Sequence, residues 1–216
     1  PPSGNDDYLL DFAAAAARWS GKGQLVFTSS AGVYAEDGGG VVDEASEVAE
    51  GNPRIDRLLA VEQECLARGG SVLRLAGLYT ADRGPHVYWL RAGEVKGRRD
   101  GLINMITYED AGAACLSLLR HPKIRKEVFL VSDGTPVTRE DICKSARKLP
   151  AFRAVPMPKF TAEEGQYGGS RGKRYDTSKV RRVLKWKPRY ESLDAFMTGS
   201  ATLETEDRDP ANAGGA

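Results

Sequence analysis

Helix-like and strand-like patterns alternate along this chain, and their alternation restricts the possible folds more than any other feature. Residues 6–19 carry an apolar stripe at helical spacing, and residues 24–30 form a short apolar run that ends in hydroxyl groups. A second helical pattern, 54–67, is again followed by an apolar run, 71–75. Short apolar runs between helices are typical of parallel strands that are buried on both faces. The order therefore predicts an α/β fold built on a parallel sheet.

The later part of the chain has shorter and less regular patterns. Its predicted elements are a helix at 85–92, a strand at 101–107, a helix at 109–119, a strand at 127–131, a helix opened by a capping box at Thr138, and helices at 177–184 and 193–202. Two stretches have no clear apolar periodicity and are predicted as loops, namely 36–52 and 150–173.

The change in regularity suggests how the chain is divided. We place a boundary near Thr80, so that 1–80 form one unit and 81–203 form a second lobe whose strands return to the sheet. Residues 204–216 lack apolar periodicity and are predicted to be a disordered tail.

The charge balance and the cysteine pattern exclude several classes of protein. Thirty-one Lys and Arg residues against 30 Asp and Glu residues give a net charge of +1, which favours neither a nucleic-acid nor a membrane partner. No uncharged apolar run approaches the roughly 20 residues of a membrane helix. Cys65, Cys115 and Cys143 are far apart, which indicates a soluble protein of a reducing compartment, either the cytoplasm or an organelle matrix or stroma. Two histidines and no Cys-x-x-Cys give no reason to expect a metal.

Hydroxyl side chains gather where the first two predicted strands end. Thr28, Ser29 and Ser30 close the first run, Tyr34 lies just beyond it, and residues 76–80 follow the second strand. Ligands of open α/β sheets bind beyond the carboxyl ends of the strands. Hydroxyl groups at this place can hydrogen-bond a substrate oxygen or a nicotinamide amide, or they can simply cap the local backbone. The residues alone leave both interpretations open.

Cationic side chains give further candidates. In the basic stretch 171–189 the only acid is Asp176. Such a stretch is typical of a solvated helix face, but Lys173 and Arg174 could also reach a substrate phosphate or a cofactor. Nucleic-acid binding is the third and least favoured interpretation. Arg83, in the loop after the second strand, is another candidate for binding a substrate anion.

Six short motifs occur in a fixed order along the sequence. They are Thr28-Ser29-Ser30-Ala31-Gly32-Val33-Tyr34, Asp43-Glu44, Leu73-Arg74-Leu75-Ala76-Gly77-Leu78-Tyr79, Ile106-Thr107-Tyr108-Glu109-Asp110-Ala111, Val131-Ser132-Asp133-Gly134-Thr135-Pro136-Val137-Thr138 and Lys185-Trp186-Lys187-Pro188. Together they resemble the motifs of extended short-chain dehydrogenases/reductases of the NAD-dependent epimerase/dehydratase type.

The resemblance implies a fold, a cofactor and a set of site residues. The chain would form the second half of a Rossmann-type parallel sheet plus a small C-terminal α/β lobe, with NAD or NADP as cofactor. In this interpretation 1–80 are a partial Rossmann NAD(P)-binding domain and 81–203 are the substrate lobe. Ser30 aligns with the family's catalytic Ser/Thr and would orient a carbonyl. The residues expected to bind the cofactor are Thr28, Ser29, Ser30, Ala76, Gly77 and Leu78. Those expected to bind the substrate are Tyr34, Tyr79, Arg83, Lys173 and Arg174.

Two departures from the family pattern bear on activity. Counting back from Glu62 puts Arg54 and Leu58 at the positions of the family's Tyr-x-x-x-Lys pair. Arg stays protonated and Leu cannot transfer a proton, so the usual general acid/base is lost. If only binding was kept, Leu58 should pack against apolar neighbours while Arg54 lies near solvent or an anion. The G-x-x-G-x-x-G turn is also absent, and 1–4 resembles the loop after strand four, so we expect the N-terminal half of the Rossmann domain to be missing.

Two functions remain open on this evidence. The first is an NAD(P)-binding epimerase/dehydratase- or reductase-like protein that acts on a small substrate, with nucleotide-linked compounds among the candidates. The second is a non-catalytic Rossmann-fold accessory or assembly subunit of a larger complex, which the loss of the Tyr and the Lys favours.

Overall fold

The computed structural model of the protein describes residues 5–161 and 169–206, with the side chains of 5–161 and 169–200. Its helices are α1 (Tyr8–Ala16), α2 (Pro53–Ala67), α3 (Pro85–Ala92), α4 (Tyr108–Leu119), α5 (Arg139–Ala146), α6 (Ser178–Leu184) and α7 (Leu193–Glu206). Its strands are β1 (Val26–Ser30), β2 (Gly38–Val42), β3 (Ser71–Leu75), β4 (Gly77–Tyr79), β5 (Glu94–Lys96), β6 (Leu102–Ile103), β7 (Met105–Thr107), β8 (Val128–Val131), β9 (Val137–Thr138), β10 (Lys159–Thr161) and β11 (Gly172–Tyr175).

A three-stranded parallel sheet forms the centre of the fold. Its strand order is β1, β3, β8, and the register places Thr28 opposite Leu73 and Leu73 opposite Phe129. Consecutive side chains of β3 enter different layers, since Val72 packs with α1 and α2 whereas Leu73 packs with α4 and α6. Both side chains are fully buried. The prediction of an α/β parallel sheet is confirmed. The prediction of strands covered on both faces is confirmed for β3 but is wrong for β1, because Thr28 at its centre is exposed.

One buried ion pair ties α2 to this sheet. On β3, Nη2 of Arg74 donates to Oε2 of Glu62 at 2.7 Å, and its Nε donates to both carboxylate oxygens at 3.1 and 3.2 Å. The two side chains are only 9% and 3% exposed. The Arg74 guanidinium also lies over the ring of Tyr34, 5.0 Å from its centroid. The pair therefore fixes α2, the helix that carries Arg54 and Leu58, against the central strand.

The remaining strands form short pairs around a separate core. The pairs β4–β7, β5–β10 and β2–β11 are parallel, and β6–β9 is antiparallel. A second group of buried side chains joins β4 and β7 to α3, α5 and α7, and it includes Tyr79, Met105, Ile142 and Met197. The division into 1–80 and 81–203 stays a prediction.

Several strands occur where the sequence predicts something else. The expected strand at 101–107 is two strands, β6 and β7, separated by Asn104. The segments 36–52 and 150–173 were expected to be loops, and this expectation is wrong for β2, for β10 and for the beginning of β11. Three glycines in β2 and two adjacent cations in β11 give these strands no apolar pattern, and β2 and β11 are held mainly by pairing with each other.

The ends of the chain differ from expectation in one place. Helix α7 continues to Glu206, so the tail predicted at 204–216 begins inside a helix. The rest of that tail, 207–216, lies outside the described residues, as does the predicted loop motif at 1–4.

None of the helices within 5–161 and 169–206 is long and apolar enough to span a membrane.

Cys65 and Cys143 are buried free thiols, and burial raises the pKa of each to about 11. They therefore stay protonated at neutral pH. Across the same residues, no group of three or more His, Cys, Asp or Glu side chains could hold a metal ion.

Candidate functional site

A cleft of about 610 Å³ opens beyond the carboxyl ends of β1 and β3. Its walls are formed by the end of β1, the beginning of α2, the segment that follows β3, the strands β6 and β11, and Arg139 at the beginning of α5. The lining residues that matter most for its chemistry are Ser30, Arg54, Gly77, Arg139 and Lys173. This is the position at which open α/β sheets bind ligands.

Ser30 forms the wall at the end of β1. It begins a short 3-10 helix, Ala31–Val33, and its Oγ accepts a hydrogen bond from the backbone N–H of Gly32 at 3.1 Å. The side chain is therefore a local cap and a cleft residue at once. Because Oγ acts as an acceptor in the cap, the hydroxyl proton can still be donated to a ligand.

Strand β11 forms the opposite wall, and Asn104 holds it in place. The Asn104 amide donates to the backbone oxygen of Lys173 at 2.8 Å and accepts from the backbone N–H of Tyr175 at 3.2 Å. Two side chains of β11 then cross to the segment after β1. The Lys173 ammonium donates to the backbone oxygen of Tyr34 at 2.5 Å, and the Tyr175 hydroxyl donates to that of Ala31 at 3.1 Å.

The first turn of α2 forms a third wall. The Asn52 side chain caps this helix by accepting from the backbone N–H groups of Arg54 and Ile55 at 3.0 and 3.4 Å. Arg54 is exposed and lines the cleft. Leu58 also belongs to the lining, but it is 6% exposed and packs in the apolar core beneath the sheet. The expectation that Leu58 packs against apolar neighbours while Arg54 faces solvent is confirmed.

The charge in the cleft has one sign. Arg54, Arg139 and Lys173 line it, and none of the described residues lining it is acidic. Burial lowers the pKa of Lys173, whereas Asp37 and then Glu36 act on that pKa in the opposite direction. Cations gathered in a concave site attract an anionic ligand.

The residues expected to bind the cofactor are only partly brought together. Ala76 and Gly77 line the cleft with Ser30. Ser29 is buried and its hydroxyl has no partner among the described residues, Thr28 is exposed on β1, and Leu78 is half-buried on β4. Cofactor binding by each of these residues stays a prediction.

The residues expected to bind the substrate lie further apart. Lys173 is in the cleft, while the ring of Tyr34 is buried and only its backbone oxygen meets Lys173. Tyr79 is fully buried. Arg83 and Arg174 line two other surface crevices. Their roles as substrate residues stay predictions.

Several cleft residues were not predicted from the sequence as site residues, among them the polar residues Asn104, Arg139 and Tyr175. An asparagine inside the apolar run 102–106 is a signal that could have identified the first. The second depends on a packing detail that no pattern shows: a Cβ on Gly101 would lie 1.7 Å from Nη1 of Arg139. The glycine thus lets this arginine pass over the backbone into the cleft wall.

No family model matches the sequence, and no curated protein matches it either. Solved structures do share its architecture. MoeE5 in complex with UDP-glucuronic acid and NAD is 20% identical with a TM-score of 0.70, over 92% of this chain and 70% of that one. UDP-glucuronic acid 4-epimerase from Bacillus cereus, in complex with UDP-glucuronic acid and NAD, is 16% identical with a TM-score of 0.72, over 92% and 66%.

The fold is that of NAD-dependent epimerases and dehydratases. A conserved protein of unknown function from Silicibacter pomeroyi DSS has it too, at 20% identity and a TM-score of 0.72, over 94% of this chain and 74% of that one. This confirms the resemblance at the level of the fold, including its Rossmann-like sheet. The chain spans between 66% and 74% of these three structures. The absence of an N-terminal half stays a prediction.

Proposed function

We propose that this chain supplies the nicotinamide and substrate side of an NAD(P)-binding epimerase/dehydratase- or reductase-like protein. The observation that carries the proposal is the cleft at the carboxyl ends of β1 and β3, where Ser30 and three cations face a space with no acidic lining residue among those described. In the solved structures of this fold named above, MoeE5 and the Bacillus cereus epimerase hold NAD and a UDP-sugar.

The cleft residues fit one end of the cofactor. Ala76 has a small side chain and Gly77 has none, so a ligand could approach the backbone closely there. Ser30 offers a hydroxyl that could hydrogen-bond the nicotinamide amide. When bound, NAD or NADP would supply hydride transfer. A glycine-rich turn for the pyrophosphate is not found in this sequence, so residues beyond this chain would have to hold that group.

The substrate would be a small carbonyl or hydroxyl compound that carries an anionic group, which includes nucleotide-linked compounds. Ser30 would orient its carbonyl by donating a hydrogen bond to the oxygen. Arg54 and Lys173 would attract the anionic group, since both are cations of the same cleft. Tyr-x-x-x-Lys chemistry forms no part of the proposal, because Arg54 and Leu58 cannot perform it.

A second function is favoured by Leu58. This side chain belongs to the apolar core, so the position that holds the family's lysine now stabilises α2 against the sheet. A non-catalytic accessory or assembly subunit would keep the fold and lose the proton-transfer pair in this way.

Titration of the full-length protein with NADH and with NADPH tests the first function against the second. We expect saturable changes in tryptophan and nicotinamide fluorescence. Arg54→Glu should weaken binding by about tenfold or more, roughly 1.4 kcal/mol, because it removes a cation and adds an acid. The matched control is Arg153→Glu, the same charge change at an exposed residue outside the cleft lining, which should leave the affinity unchanged. Absence of saturable binding would contradict the first function and favour the accessory subunit.

A further inference from the structure

Lys173 is held more firmly than a surface lysine needs to be. The Asn104 amide bonds the backbone on both sides of it, at the oxygen of Lys173 and the N–H of Tyr175. Gly172 beside it has φ +75°, and a Cβ there would lie 2.1 Å from the backbone oxygen of Leu102. The close passage of β11 over β6 therefore depends on that glycine. These contacts fix the point from which the lysine side chain enters the cleft.

The ammonium of Lys173 has few compensating charges. The side chain is half-buried, and its Nζ donates to a backbone oxygen, that of Tyr34. No ion pair within 4.0 Å joins it to an acid among the described residues. Asp37 and Glu36 are its nearest acidic influences, and Glu36 already accepts hydrogen bonds from the backbone N–H groups of Gly38 and Gly40.

Lys179 shows what an ordinary half-buried lysine of this protein looks like. Its Nζ also donates to a backbone oxygen, that of Val128, at 2.8 Å. It differs from Lys173 because Glu127 lies 2.8 Å away as an ion-pair partner and because it does not line the cleft. A paired ammonium holds its proton, whereas an ammonium that burial disfavours releases it more readily. Burial lowers the pKa of Lys173.

We propose that Lys173 is the reactive amine of the cleft, supplied from β11 where α2 has Leu58 in place of a lysine, and that its ligand is a small carbonyl compound with an anionic group. The inference rests on the proposed function and deepens it by naming a residue and a ligand class. As an ammonium, Lys173 donates to the oxygen of the carbonyl, and as a neutral amine it accepts a proton or attacks the carbonyl carbon. Arg54 and Arg139, in the same cleft, attract the anionic group.

Pyridoxal 5′-phosphate is a suitable probe, since it is an aldehyde that carries a phosphate. A neutral lysine nitrogen attacks the aldehyde carbon, the oxygen leaves as water, and an imine forms. Borohydride then donates a hydride to the imine carbon, while the nitrogen gains a proton, so the label stays on the lysine as a secondary amine. Peptide mapping by mass spectrometry gives the rate of labelling for each lysine of the full chain, with no variant required.

We expect Lys173 to be labelled several-fold faster than Lys179 near neutral pH, because burial lowers the pKa of Lys173 and no acid lies within 4.0 Å of its ammonium among the described residues. Excess inorganic phosphate should slow the labelling of Lys173 and leave that of exposed lysines unchanged. Arg54→Gln should slow it as well, whereas Arg153→Gln should not. Equal rates at Lys173 and Lys179, or no protection by phosphate, would overturn the inference.

The same preparation separates this inference from the proposed function. Fast, phosphate-protected labelling of Lys173 without any binding of NADH or NADPH would reject the cofactor proposal and support the reactive amine. Saturable binding of either dinucleotide with no preferential labelling of Lys173 would support the cofactor proposal and reject the amine. Lys173→Met should abolish the fast-labelled peptide, and Lys179→Met should leave it in place.

Discussion

Two regions of this protein gather charged side chains, and they arrange those charges in opposite ways. In the core, Arg74 meets Glu62 through two nitrogens and both carboxylate oxygens. In the cleft, Arg54 and Lys173 share a lining with no acidic residue among those described. Buried charges must be compensated, and the core pair compensates itself. An anionic ligand can supply the negative charge that the cleft lining lacks, which is why we assign binding to one region and fold stability to the other.

The largest expected effect comes from removing one partner of the core pair, which tests whether the Arg74–Glu62 pair stabilises the fold. Glu62→Gln should lower the free energy of unfolding by about 3–5 kcal/mol, because it leaves the Arg74 guanidinium buried without its counter-charge. Denaturant titration followed by tryptophan fluorescence measures the change. The matched control is Glu64→Gln on the same helix, where the pair with Arg68 is partly exposed and a loss below about 1 kcal/mol is expected. Equal losses in the two variants would show that the core pair contributes no more than a surface pair.

The second experiment places the family's Tyr and Lys at the positions of Arg54 and Leu58. Arg54→Tyr combined with Leu58→Lys recreates the family's pair in sequence, yet it places an ammonium among the apolar neighbours of Leu58. We expect a loss of about 3 kcal/mol in stability and no dehydrogenase activity. Arg54→Tyr alone, at an exposed residue, should stay close to the unmodified protein. A stable double variant that oxidises or reduces a substrate with NAD(P) would overturn this expectation and the accessory-subunit alternative with it.

Asp133 is a buried carboxyl whose protonation should make the stability of the protein depend on pH. Burial, followed by the nearby charge of Asp110, raises its pKa to about 7, against the bond from the Thr135 backbone N–H and the charge of Arg181. The folded state then binds a proton that the unfolded state has already released. Its contribution to stability is therefore full below about pH 4 and is lost as the pH rises towards 7.

Asp133→Asn should remove this pH dependence of stability, which we expect to be on the order of 4 kcal/mol between about pH 4 and pH 7, at roughly 1.4 kcal/mol for each pH unit. Urea titrations at a series of pH values measure it. Asp194→Asn is the control of opposite sign, because Lys148 lowers the pKa of Asp194 and its contribution is lost as the pH falls. An unchanged slope in Asp133→Asn would mean that this carboxyl is ionised in the folded protein at neutral pH.

The smallest effect on stability is expected in the cleft itself. Ser30→Ala removes a cap on one short turn and a hydroxyl that faces the cleft, so unfolding should change by less than about 1 kcal/mol. Binding of NADH or turnover of a carbonyl substrate should fall by roughly 1–3 kcal/mol, the size of one hydrogen bond to a developing charge. Unchanged binding and turnover would remove Ser30 from the site.

The sequence predicted the central sheet well, because β1, β3 and β8 each contain an apolar run that is visible without a partner, although only β3 and β8 are buried on both faces. The strand-end rule also selected Ser30, Ala76 and Gly77 correctly as neighbours of one another. The sequence patterns did not predict β2 or β11 as strands. A glycine-rich strand and a cationic strand acquire their conformation from pairing with each other across a long separation in the chain. Lys173 was noticed for its charge, but its position in the cleft follows from that pairing.

The bond from Lys173 to Tyr34 has a consequence for the order of folding. It joins residues that are 139 apart in the chain, and Tyr175 crosses to Ala31 over 144. Closing so long a loop costs entropy before any contact repays it, so such links form slowly compared with local ones. We expect backbone amides of β11 to gain protection from hydrogen exchange after those of β3 during refolding. The wall that carries the reactive lysine would then be the last to assemble, and partly folded molecules would hold the sheet without the binding site.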